Sequence, residues 1–177
     1  VRGLVIELIN QAHDVSQLLK LWQSLDAGER AMPELAVHAA ERLRQLEGDA
    51  TLARTWLLPA WETLVSQPGS LAEALEIKLV RALEDSLSDV DPQWLGRIES
   101  AQQQNPRDPL LQYLAGIACL RLQLWGKAQK LLEQASRQLP HAALRCRAWR
   151  ALAVLAEQRG DVEATAAAWR RAAELSD

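Results

Sequence analysis

At 177 residues, 49% hydrophobic and 24% charged, the chain is long enough for one domain or a stack of small units and too apolar to be disordered. Its two cysteines, Cys119 and Cys146, form no CxxC and give no sign of a disulfide framework or a zinc site. The net charge of −3 hides an asymmetry: residues 1–105 hold 9 basic and 16 acidic side chains, and residues 106–177 hold 11 and 7, which suits a charged partner or surface at one end.

The chain opens on Val1 and its only methionine is Met32, so a fragment or a processed product is expected. No run of about 18 apolar residues is present to span a membrane, and no signal peptide opens the chain. Breaker residues then arrive at regular distances. They are the 28–33 region, Gly48-Asp49, Pro68-Gly69, Asp91-Pro92, Asn105-Pro106 with Asp108-Pro109, Pro140 and Gly160-Asp161. The segments between them carry apolar residues three and four apart, the helical period. Asp49, Ser70, Asp91, Asp108 and Asp161 stand at N-cap positions, and Gly48 and Gly160 are placed to close the preceding helix in a left-handed conformation. Pro59 lies inside the 50–65 helical run, where a kink or break is expected. The later helices read most clearly: Leu110, Tyr113, Leu114, Ile117 and Leu120 share one stripe, and Leu131, Leu132, Ala135 and Leu139 another.

A repeat emerges from these positions. Ala82, Gly116 and Ala153 sit midway along the first helix of successive pairs, spaced 34 and 37 residues. Ala101, Ala135 and Ala172 follow each by 19, with Ile98, Leu132 and Trp169 three before them. Two antiparallel helices approach closely only where side chains are small, and such pairs bury their remaining apolar faces by stacking. Gly116 and Ala135 are expected to face each other, and Trp149 and Trp169 to be largely buried while Arg170 and Arg171 are not. The fold class that follows is all-α, with about ten helices in four or five antiparallel pairs.

The unit from Pro109 to Pro140, with Gly116, Ala128, Leu132 and Ala135, resembles the tetratricopeptide repeat (TPR). So does the unit from Cys146, with Trp149, Leu152, Ala153, Gly160, Asp161, Trp169 and Ala172. Gln112 and Thr165 depart from the pattern, and the repeats before residue 106 are degenerate. The resemblance implies a right-handed α-solenoid over one domain, 1–177, with the clearer repeats at 107–140 and 141–177. The run from Leu120 to Ala128, ending at Pro140, further resembles the carboxy-terminal TPR region of the HemY family, proteobacterial inner-membrane proteins linked to haem biosynthesis. That resemblance implies a membrane anchor ahead of Val1, with the cytoplasmic side of the membrane favoured. It also implies partners among other proteins, haem-biosynthetic enzymes included; no nucleic-acid partner is expected, the basic run from Arg145 to Arg150 reading as a solvated helix face.

Catalytic chemistry has little to stand on. His13, His38 and His141 are far apart in sequence, no Cys/His pair has metal spacing, and no Gly-rich nucleotide fingerprint is present. No Ser-His-Asp or Cys-His arrangement is suggested either. No cofactor and no enzyme activity are expected; haem or porphyrin binding through His38, His141 or Cys119 is the alternative. TPR stacks line a concave groove with the first helix of each pair. By register that groove would be formed by Leu35, His38, Arg42, Glu76, Leu79, Leu83, Leu110, Tyr113, Ile117, Arg121, Arg147, Arg150 and Glu157, an apolar floor with charges that suits an extended peptide or a helix. The positions where chaperone-binding TPRs place a carboxylate clamp carry Arg42, Leu83, Ile117 and Val154, with no Asn, which argues against that mode. The function expected is a non-catalytic protein-interaction scaffold, with Arg147 and Arg150 touching an acidic partner.

Overall fold

A computed structural model describes residues 2–89 and 91–176, and the helices gather into two compact units, residues 1–89 and 90–177. No strand occurs among the described residues.

In the first unit, α1 (Arg2–Gln11), α2 (Val15–Ser24) and the short α3 (Ala27–Arg30) lead to α4 (Pro33–Gln45), α5 (Ala50–Ser66) and α6 (Glu73–Ser86), closed by a 3-10 turn at Leu87–Asp89. Helix α4 is the centre and touches each of the other five helices. Its Leu35, Ala36, Ala39 and Leu43 are sealed from solvent, and the alanines on that face let neighbouring helices come close. The indoles of Trp22 on α2 and Trp56 on α5 stack with ring centroids 4.8 Å apart, a contact worth about 0.5–1.5 kcal/mol beyond its area.

In the second unit, α7 (Pro92–Gln104), α8 (Pro109–Arg121), α9 (Trp125–Gln138), α10 (Ala142–Gln158) and α11 (Val162–Leu175) follow in order. Helix α8 is buried all round from Leu110 to Cys119, as a helix enclosed by α7, α9 and α10 must be. The pairs α8–α9 and α10–α11 are the most extensively packed. A Cβ added at Gly116 would lie 2.7 Å from Leu132 Cγ and 2.9 Å from Cδ2, so the close approach of α8 and α9 depends on that missing methyl. The side chain lying over Gly116 is Leu132; Ala135, expected there, is fully buried three residues further along α9.

Aspartates start many of the helices. Asp49, Asp91, Asp108 and Asp161 accept backbone N–H bonds from Thr51, Trp94, Leu110 and Ala164 at 2.9, 2.7, 2.9 and 3.0 Å. Asp14 and Asp26 do the same for α2 and α3, the latter in a reciprocal box with Glu29. Ser70 does not cap: α6 begins at Glu73, with Ala72 at the cap position and no side-chain bond. Pro59 does not break α5, which runs unbroken from Ala50 to Ser66. The carbonyl of Pro59 accepts the Thr63 hydroxyl at 3.1 Å. Of the two glycines expected in the left-handed region, Gly160 is there (φ 71°), but in the α4–α5 turn that conformation belongs to Glu47 (φ 59°) instead of Gly48. Trp149 is half-buried, and Trp169 is 42% exposed, against the large burial expected of it; Arg170 and Arg171 are exposed as expected.

Candidate functional site

The residues the repeat register places along a groove divide into two groups. Leu35, Leu79, Leu83, Leu110, Tyr113 and Ile117 are between 0 and 7% exposed and belong to the cores of their units. Those of α4 and α6 lie on the buried stripe that an amphipathic helix turns inward, and those of α8 belong to a helix buried all round. Surface is left to His38, Arg42 and Glu76, which are half-buried, and to Arg121, Arg147, Arg150 and Glu157.

Several of that second group are already engaged. Arg42 donates through Nε and Nη2 to the carbonyl of Ala12, at 3.1 and 2.6 Å, and through Nη1 to Gln45 Oε1 at 2.9 Å. It therefore closes the C-terminal end of α1. Glu157 accepts the Trp169 indole N–H at 3.2 Å, tying α10 to α11. Arg147 is half-buried, and Arg150, one turn on, is exposed.

Arg42 shares its task of closing a helix end with Arg30, Arg54 and Arg145. Arg30 donates to the carbonyls of Trp22 and Gln23 at the end of α2 (3.2 and 2.8 Å), and Arg145 to that of Leu139 at the end of α9 (2.8 Å). Arg54, only 1% exposed, donates to the carbonyl of Ser86 at the end of α6. Each guanidinium satisfies carbonyls that a helix leaves without an internal partner, where the negative end of the helix dipole favours a cation. Sequence reasoning assigned Arg42 to the groove and missed the other three; the acceptors of Arg42 and Arg54 lie 30 and 32 residues away, beyond the reach of local patterning.

The first unit has an open cleft of about 290 Å³ between α4, the start of α5 and α6. Its charged lining is Glu41 and Arg44 on α4, Asp49 at the turn, and Lys78, Arg81 and Asp85 on α6. Arg44 Nε and Asp85 Oδ2 are 3.5 Å apart, joining α4 to α6. This is the helix face opposite the stripe Glu76–Leu79–Leu83: three cations and three carboxylates replace the leucine floor read from register. The signal was present in the sequence as the polar stripe Lys78, Arg81, Asp85, spaced three and four apart.

In the second unit a shallower cleft of about 320 Å³ is formed by α9, α10 and α11. Trp149 and Leu152 form its apolar part, and Arg137, Arg159, Arg171 and Glu133 are among its polar groups. The Arg171 guanidinium lies 5.2 Å from the centre of the Trp149 ring, a cation–π contact. Arg159 donates to Gln129 Oε1, bridging α10 and α9. Both clefts offer mixed charge over apolar patches, the chemistry of peptide contact.

Neither cleft is lined by a histidine or a cysteine. Cys119 is fully buried and burial pushes its thiol pKa up, partly offset by the Lys127 cation. Cys146 is buried with its Sγ donating to the Ala172 carbonyl at 3.3 Å, and His141 is buried at the start of α10. Of the residues named for a haem axial ligand, His141 and Cys119 are buried and His38 is half-buried on α4. Among the described residues no three His, Cys, Asp or Glu side chains gather as a metal site, and no helix is long and apolar enough to cross a membrane.

No family model matches the chain, and no curated protein matches it. Among solved structures it is similar to "MamA RS-1 ArsTM double mutant", at 17% identity and TM-score 0.55, over 98% of this chain and 91% of that one. It is also similar to "MamA MSR-1 C2", at 19% identity and TM-score 0.48, over 98% and 93%. The first likeness supports the fold, an all-α helical repeat of the TPR kind.

Proposed function

We propose that the chain is a non-catalytic scaffold that holds other proteins against preformed, mixed-charge surfaces of a TPR-like helical stack. The observation that carries this reading is the pairing of rigid helix hairpins, seated as at Gly116 on Leu132, with open clefts whose lining alternates cations, carboxylates and apolar patches. Such surfaces bind peptide segments without reorganising, which lowers the cost of ordering to the partner alone.

The resemblance of the 120–140 run to the HemY family supports a finer reading: the chain serves as the extramembrane part of an inner-membrane-anchored protein, and its partners include haem-biosynthetic enzymes. Affinity capture from solubilised bacterial membranes, with the anchored full-length protein as bait, tests it. Recovery of those enzymes is expected; their absence from a capture that enriches other proteins removes the finer reading and keeps the scaffold. The basic surface of α10 is the expected contact for an acidic partner. Reversing Arg147 and Arg150 to Glu is expected to weaken capture by about tenfold or more, since opposed charges at an interface steer and select partners; unchanged capture removes that contact. Titration with haem is expected to give no saturable Soret shift.

A further inference from the structure

The cleft formed by α9, α10 and α11 arises where one junction of the repeat differs from the junction before it. The register that aligns Leu132 with Trp169 sets Ala164 on α11 at the place of Lys127 on α9, and Ala167 and Ala168 at those of Lys130 and Leu131. One pair earlier, Lys127 Nζ lies 3.1 Å from Glu99 Oε1 and ties α9 to α7. Glu133 stands at the place of Glu99, and Ala164 has no cation to send across to it. The groove between these two second helices stays open over α10. Both of its walls are helices of this chain. The stripe Ala164, Ala167, Ala168 and Arg171 lies about 150° round α11 from Trp169, so the opening is independent of whatever lies against that tryptophan.

The charge around this groove is unbalanced. Residues 125–175 hold 9 basic and 5 acidic side chains, and at the cleft itself Arg137, Arg159 and Arg171 stand against Glu133 alone. Glu133 accepts the Gln129 amide N–H at 2.8 Å, and Gln129 Oε1 in turn accepts from Arg159, so these three satisfy one another. Glu157 is drawn to the Trp169 indole on the other side of α11. Arg137 on the α9 wall and Arg171 on the α11 wall are exposed and have no carboxylate partner among the described residues; Arg171 rests on the Trp149 ring. Between them the floor is apolar, with Trp149 half-buried over Leu152 and Ala156. A volume of about 320 Å³ is at the small end for a binding site and suits a few side chains, not a whole helix.

We infer that this cleft takes a linear acidic segment of a partner protein, its carboxylates paired with Arg137 and Arg171 and an apolar side chain between them set against Trp149 and the alanines of α11. A guanidinium matches a carboxylate through two parallel N–H bonds, and the apolar floor rewards the side chain that a free anion lacks. The inference rests on the scaffold reading and adds to it the place and the chemistry of one contact. Arg147 and Arg150 lie on the other side of α10, so the two basic surfaces are separable by substitution.

Fluorescence anisotropy of a short labelled peptide, rich in Glu with leucines between the acids, tests it on the purified protein. Saturable binding is expected, weakening as salt is raised, and none when Gln replaces Glu in the peptide. Arg137→Glu with Arg171→Glu is expected to weaken binding at least about tenfold. Arg147→Glu with Arg150→Glu is expected to leave it within about twofold. Ala164→Lys is the sharper variant. It adds a cation, yet its side chain is placed to reach Glu133 as Lys127 reaches Glu99, so it is expected to fill the groove and weaken binding several-fold. Circular dichroism checks each fold, and Arg137→Gln with Arg171→Gln is the milder pair should the reversed one fail to fold. Tighter binding by Ala164→Lys, equal binding of the Gln peptide, or loss confined to the Arg147 and Arg150 variant overturns the inference. So does preference for an oligonucleotide or for a phosphoserine form of the peptide, which marks a phosphate site. Absence of peptide binding overturns it too; the scaffold reading is then decided separately, by the membrane capture, in which no peptide is used.

Discussion

Three tight turns join helix pairs by the same bond: Gly48 N–H to the Leu43 carbonyl at 2.8 Å, Leu124 to Cys119 at 2.9 Å, and Asp161 to Ala156 at 3.0 Å. Each needs one residue in the left-handed region, and the chain supplies Glu47, Gln123 and Gly160. A side chain in that conformation costs about 1–2 kcal/mol, partly offset by the freedom that glycine loses on folding, about 0.5–1 kcal/mol. Gln123→Gly is therefore expected to stabilise the protein by up to about 1 kcal/mol and Gly160→Ala to destabilise it by about 1 kcal/mol, read from chemical denaturation midpoints. The glycine at 48 was legible in the sequence, but its task was not. A Cβ there would lie 2.2 Å from Leu43 Cδ1, so Gly48 gives room one position after the residue that bends. Periodicity tells where a turn falls; which of two adjacent residues takes the unusual dihedral depends on contacts made across it.

At the level of helices, the clearest consequence concerns Gly116. Adding a methyl pushes on the branch of Leu132, which is itself fully buried. Gly116→Ala is expected to cost about 1–3 kcal/mol. Combined with Leu132→Ala, the loss should be smaller than the sum of the two single losses, because removing the leucine branch frees the space; a double-mutant cycle measures the difference. The helices themselves were legible, since period and breakers agree over most of the chain, and so was the small-residue contact. The outward faces of the degenerate repeats were not. On α6 a register carried back from clearer repeats turned Leu79 and Leu83 toward the groove, whereas the apolar stripe goes to the core and Lys78, Arg81 and Asp85 take the surface. Trp169 was misplaced for a different reason: burial at its position comes from a following helix, and α11 carries none there among the described residues.

Across the whole molecule there are two cores, and their reporters are separate. Trp22 and Trp56 stack in the first unit, while both thiols lie in the second. A stack of units each with its own core melts as a sum of local steps more readily than as one. Gly116→Ala is expected to bring thiol labelling of Cys119 to lower denaturant while leaving the Trp22–Trp56 signal in place; coincident shifts of both would show one cooperative body. The charge imbalance between the halves was legible from composition, and the breaker at Asp91-Pro92 marks a turn near the boundary at residue 89, but the same kind of signal falls between most helices and does not single that boundary out. The bond from Cys146 to the Ala172 carbonyl has one more consequence. It fastens the thiol to the last turn of α11, whereas Cys119 is fully buried in the last turn of α8, within the core of its unit. Fraying of the last helix thus uncovers one sulfur long before the other, and the two alkylation rates become a built-in pair of clocks, one timing the end of the chain and the other its middle.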